Sequence, residues 1–146
     1  MTTSLTLDER LRPGGASAAA FEAFTTAVWT QPRIPAPLLE LCRLLIARMH
    51  SADAERAAGK VPVDAAKKNA VLSGDWSSTT LFGDGDRAVL DLAELYAIEP
   101  ASITDEAAAA VVTHYGDGGL VTLIEALGVI DGRIRLALLF NAMETN

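Results

Sequence analysis

The run Pro37-Leu-Leu-Glu40-Leu-Cys-Arg43-Leu-Leu-Ile-Ala-Arg-Met-His50-Ser-Ala-Asp-Ala-Glu55-Arg-Ala-Ala58, closed by Gly59, reads as a single long helix from about Ala36. Leucine, alanine, arginine and methionine are good helix formers, and a proline suits the first turn while a glycine suits the stop. Wound at helical pitch, Glu40, Arg43, Ala47, Ser51 and Ala54 fall within an arc of about 80°. Leu38, Leu41, Cys42, Leu45, Ile46 and Met49 take the opposite side, joined further along by Asp53. A small, partly polar stripe on a greasy helix suits a pocket wall, a close-packed neighbour or solvent.

Working outward, proline and glycine divide the rest of the chain into helical pieces. Residues 1–16, which carry Arg12-Pro13-Gly14-Gly15, read as an amino-terminal arm or loop ordered by a neighbour, and 17–146 as one domain. Ser17 is placed to cap a first helix to about Trp29, with Phe21, Phe24 and Val28 at helical spacing. Prolines 32, 35 and 37 force an extended connector, since each removes a donor and fixes φ. A shorter helix is expected from Pro62 to about Leu72, then a loop over 74–85. Asp84 or Asp86 opens the next helix, which Pro100 ends after about Ile98. Thr104 with Asp105 and Glu106 marks another start, acids facing the positive end of the helix dipole. Gly116 ends that helix, and Asp117 opens the last one, to about Met143. No window shows strand alternation, and nothing recurs at fixed period. The fold class is all-α, a bundle of about six helices.

With 146 residues the chain is long enough for one domain with a substantial core. Half of its residues are apolar and its mean hydropathy is positive, which favours burial of apolar surface between subunits. A net charge of −7 with scattered lysines and arginines argues against nucleic acid as a partner. No apolar run reaches the roughly eighteen residues of a membrane span, and the amino terminus lacks signal-peptide character. One cysteine and two histidines make neither an internal disulfide nor a tetrahedral Cys/His zinc site. A cytoplasmic protein without cofactor is expected.

In order and spacing, three segments resemble the carboxymuconolactone decarboxylase and alkylhydroperoxidase D-like family. They are the helix just described, Ser73-Gly-Asp-Trp76 through the Asp86-Arg-Ala start to Leu92-Ala-Glu94, and Ser102-Ile-Thr-Asp to Leu138. In redox members a glutamate is followed, twelve and fifteen residues later, by a Cys-x-x-Cys pair, with a histidine four residues beyond. Counted from Glu40, those places hold Ala52, Glu55 and Gly59. The closing helix also departs from the common pattern, reading Val129-Ile-Asp-Gly-Arg133 and keeping only the arginine. The resemblance implies an oligomeric helical bundle, as dimer, trimer or hexamer, and activities of two kinds: dithiol peroxide reduction and cofactor-free decarboxylation. The first requires a thiolate and a resolving thiol, which neither Ala52 nor Glu55 supplies.

Candidate site residues follow from chemistry. Glu40, His50 and Glu55 are the candidate acid–base groups, and Arg43, Trp76 and Phe82 the candidate substrate contacts. Glu40 and Arg43, three apart, equally suit a buried ion pair. His50 and Asp53, also three apart, form an i,i+3 pair able to orient the imidazole. Glu55 is either a pocket carboxylate or a solvated one, Trp76 and Phe82 a lid or loop anchors, and Cys42 a core residue. His114 in a last helical turn is explained by the dipole. The leading reading is a small-molecule-binding, non-redox member of the family with acid–base chemistry of decarboxylase, isomerase or lyase type. It requires an enclosed cavity on which at least two of Glu40, His50 and Glu55 converge. The runner-up is a non-catalytic binding or assembly subunit, paired with itself or with a relative; a single-thiol peroxidase using Cys42 is the remote third.

Overall fold

The computed structural model describes residues 5–145, so the first four residues of the expected arm and the last of the domain lie outside it. Among the described residues there are seven α-helices and no strand. They are α1 (Leu7–Leu11), α2 (Ala16–Thr30), α3 (Ala36–Met49), α4 (Asp53–Ala57), α5 (Ala65–Ser73), α6 (Asp84–Ile98) and α7 (Asp105–Thr145).

Helix α3 is the axis of the fold. Every residue from Leu38 to Ala47 is buried, so the helix has no solvent face. A helix that is apolar nearly all round belongs inside. Around it pack α2, α5, α6 and α7, and Leu39, Leu44, Leu45, Ile46, Leu90 and Leu127 are among the side chains that fill the core. Glu40 and Arg43 therefore line no exposed stripe; they are charged residues within the bundle's centre.

The expected long helix stops nine residues early. His50 ends α3, and Ser51 takes a left-handed backbone (φ 54°), the sole non-glycine positive φ among the described residues. The Ala52 N–H donates to the Ala47 carbonyl at 2.8 Å and the Ser51 N–H to the Arg48 carbonyl at 3.1 Å. That pair of bonds is a Schellman stop, for which glycine is the usual residue. Ala52, fully buried, then starts the five-residue α4 in a new direction.

Other boundaries fall close to expectation. Helices α6 and α7 start and end within two residues of the expected positions, and α7 is broken at Gly116 (φ 74°). Helix α2 spans the expected residues, but Gly15 precedes it and the Ser17 hydroxyl donates back to the Gly14 carbonyl at 3.2 Å instead of capping. Helix α5 starts three residues after Pro62, capped by Asp64, whose carboxylate accepts from the Lys67 N–H at 3.0 Å. The arm is helical as well. Thr6 and Glu9 close a capping box on α1, and Asp8 and Arg10 pair with Arg133 and Glu144 of α7.

Candidate functional site

The densest polar cluster joins α3 to the loop after α4. One Glu40 oxygen accepts from Arg43 Nε at 2.5 Å; the other accepts from the Lys60 and Val61 N–H groups at 2.6 and 3.1 Å, and from Arg43 Nη2 at 3.3 Å. Arg43 Nη1 donates to the Glu55 carbonyl at 2.8 Å and to its carboxylate at 3.3 Å, while Nη2 donates to the Ala58 carbonyl at 2.6 Å. Helix α4 is too short to hold itself, so its last carbonyls and the following N–H groups need partners. Glu40 and Arg43 provide them. Their remaining hydrogen-bonding capacity is spent, and each charge is neutralised by the other.

Above this clasp lies an open cleft of about 410 Å³. Leu7, Ile130 and Ile134 give it an apolar wall, and Trp29 a flat one. Arg43, Lys60, Arg133 and Glu55 supply its polar side, three cations against one carboxylate in a chain of net charge −7. The Lys60 ammonium lies 5.3 Å from the centre of the Trp29 ring and makes no ion pair among the described residues. The Arg133 guanidinium lies over the Phe21 ring and is held by Asp8 at 2.9 and 3.2 Å. The Glu55 side chain is a third exposed, with one oxygen toward Arg43.

Of the expected acid–base trio, Glu55 alone reaches this cleft. Glu40 is buried behind Arg43. His50 is directed elsewhere: its Nε2 donates to Asp131 at 2.6 Å, and the other Asp131 oxygen accepts from Arg135 Nε at 2.9 Å. The expected His50–Asp53 pair does not form, because the stop at Ser51 breaks the helical register between them. Asp53 is exposed and faces Arg56 at 3.5 Å. An enclosed cavity with two of the three groups converging is therefore not found among the described residues.

Trp76 and Phe82 are likewise away from the cleft. Both are buried, edge to face with ring centres 6.4 Å apart, and Trp76 Nε1 donates to Glu94 at 3.2 Å. They anchor the loop rather than cover a pocket. Arg87 braces the same loop through the carbonyls of Ser77, Thr79 and Phe82. Cys42 is wholly buried, and its thiol is pushed up to about 12, first by burial and then by the nearby Asp86 carboxylate. A thiol of that kind is inert at neutral pH.

The cleft side chains absent from the sequence-based candidates include Leu7, Trp29, Lys60, Ile130, Arg133 and Ile134. Arg133 is the arginine kept in the departing Val129-Ile-Asp-Gly-Arg133 stretch, and with Ile130 and Ile134 it forms an i,i+3/i+4 group on one face of α7. No protein-family model matches the chain, and neither does any curated protein sequence.

Proposed function

We propose that the protein binds a small organic anion in the cleft between Trp29, Lys60 and Arg133, as a member of the carboxymuconolactone decarboxylase-like family without dithiol redox chemistry. The observation that carries the reading is Lys60, a cation without an ion pair among the described residues, beside an apolar wall and next to an Arg133 whose partner is the part-exposed Asp8. Its volume falls in the range of small-molecule sites, ~300–1,000 Å³. An apolar body against Ile130 and Ile134 with an acidic group toward Lys60 and Arg133 satisfies both walls. Glu55 is the side chain at the cleft able to exchange a proton with such a ligand, so an acid–base reaction without cofactor runs through it, in the cytoplasm. Substrate screening of Glu55→Gln beside the parent separates an enzyme from a binding subunit.

The test of binding is a tryptophan-fluorescence titration with cyclohexanecarboxylate, beside the uncharged cyclohexanecarboxamide. Saturable binding of the carboxylate that weakens with added salt supports the reading, because partly exposed charges are screened. Equal binding of the two compounds, or of neither, contradicts it.

A second reading concerns assembly. Val121, Ile124 and Leu139 are exposed on one side of the carboxy-terminal part of α7, with Gly128 and Gly132 between them. That surface favours a homo-oligomer, and sedimentation velocity over a concentration series, with Ile124→Lys as the disrupting variant, tests it.

A further inference from the structure

One of the cleft's cations is already paired with a carboxylate supplied by the chain itself. Asp8 of α1 meets Arg133 with both oxygens, at 2.9 and 3.2 Å, in the two-point geometry an arginine offers a bound carboxylic acid. The residue before it, Leu7, forms part of the apolar wall. The arm thus places an apolar side chain on the cleft wall and, at the next residue, a carboxylate on the cleft's Arg133, the same pair of features that the ligand class above needs.

The arm is weakly held. Helix α1 has five residues and no buried one, far below the length at which a helix stands alone. Among the described residues its polar links to the body are the Asp8–Arg133 pair, the Arg10–Glu144 pair and the approach of Arg10 to the Phe140 ring, beside the place of Leu7 on the cleft wall. The Asp8 and Glu144 carboxylates are both at least a third exposed, so water reaches each pair from the carboxylate side and screens it. Arg43, by contrast, is held by the buried Glu40 and by the carbonyls of Glu55 and Ala58, and the part-exposed Glu55 carboxylate is only one of its five contacts.

We propose that the amino-terminal helix is a built-in competitor for the cleft: Asp8 occupies Arg133 in the free protein, and an anionic ligand binds by displacing it. The inference rests on the anion-binding reading. Arm and ligand then compete for one guanidinium, and the apparent affinity is reduced by the fraction of molecules with the arm closed.

Cyclohexanecarboxylate is titrated into the parent, Asp8→Asn, Arg133→Met and the double variant, with amide hydrogen exchange of residues 7–11 followed in parallel. Competition predicts that Asp8→Asn binds about three- to tenfold tighter than the parent. It also predicts that this gain vanishes in the Arg133→Met background, and that the probe speeds exchange at residues 7–11 of the parent. Equal affinities of parent and Asp8→Asn overturn the competition while leaving the anion site standing, and weaker binding by Asp8→Asn makes the arm a supporting wall instead. A gain that persists with Arg133→Met reduces Asp8 to general repulsion and overturns displacement. No binding by either parent or Asp8→Asn removes the anion site and the competition with it.

Discussion

Arg43 and Arg133 line the same cleft, and the structure treats them differently. Arg43 makes five hydrogen bonds, to both oxygens of Glu40, to the carbonyls of Glu55 and Ala58, and to the Glu55 carboxylate. Arg133 has Asp8, a long 3.5 Å contact to the Thr25 hydroxyl, and an aromatic ring beneath it. The first arginine is committed to holding a loop that has no helix of its own to lean on. The second is held by one side chain on a short arm, and that side chain can leave. Two arginines lining a cleft are therefore not equivalent: the donors of Arg43 are taken up by Glu40, Glu55 and backbone carbonyls, and those of Arg133 by a carboxylate on a short arm, which is why we place the ligand at Arg133.

The contrast can be broken at several places, beginning with the largest effect. Arg43→Met leaves Glu40 buried without its countercharge and bares the carbonyls of Glu55 and Ala58. It should cost about 3–5 kcal/mol in urea unfolding, the range for half of a buried pair. A loss below about 1 kcal/mol would show that the clasp is not structural. His50→Ala removes the bond to Asp131 that ties the end of α3 to α7, and about 1.5–3 kcal/mol is expected by the same measurement. Ser51→Gly works in the other direction. The left-handed φ of 54° strains any residue with a Cβ, so glycine should raise the unfolding free energy by about 1 kcal/mol. Asp8→Asn, at the exchangeable arginine, should shift stability by less than about 1 kcal/mol, because Asp8 is more than a third exposed and the amide oxygen still offers Arg133 an acceptor.

Cys42 gives the smallest effect at neutral pH and a growing one in alkali. Its thiol holds its proton to about 12 in the folded protein, whereas the unfolded chain releases it at the ordinary thiol value. Above that ordinary value the folded state binds more protons than the unfolded one, so stability falls as pH rises toward 12. Cys42→Ala should flatten that part of the pH profile, and thiol labelling of the native parent at neutral pH should be slow. Rapid labelling would bring the single-thiol reading back.

The all-α class and most helix boundaries were legible in the sequence because glycine, proline and acidic residues mark them. Gly116 breaks α7 where a glycine can, and Thr104 with two acids opens it. The stop at Ser51 carried no such mark: a serine took the left-handed place that glycine usually holds. One misplaced boundary then carried two errors, the His50–Asp53 pair and the polar stripe along a continuous helix. The Glu40–Arg43 pair was legible, being three residues apart on one helix. Asp131 and Asp8 were not, since they meet His50 and Arg133 across 81 and 125 residues of chain. No local spacing reports a contact of that kind; it follows from how α7 crosses α3 and α1. Trp76 and Phe82 flank a loop in either role, and only their burial decides for anchors.

The account turns on the claim that the cleft's free cation, and not the saturated Glu40–Arg43 clasp, receives the ligand. The direct measurement is the cyclohexanecarboxylate titration of Lys60→Met, paired with its urea midpoint. Lys60 contributes its backbone N–H to the clasp and its ammonium to the cleft, so the variant leaves the clasp intact. The prediction is an affinity about tenfold weaker or more, with an unchanged midpoint, as expected for losing a charge-assisted contact. Unchanged affinity in a stable Lys60→Met protein would contradict it.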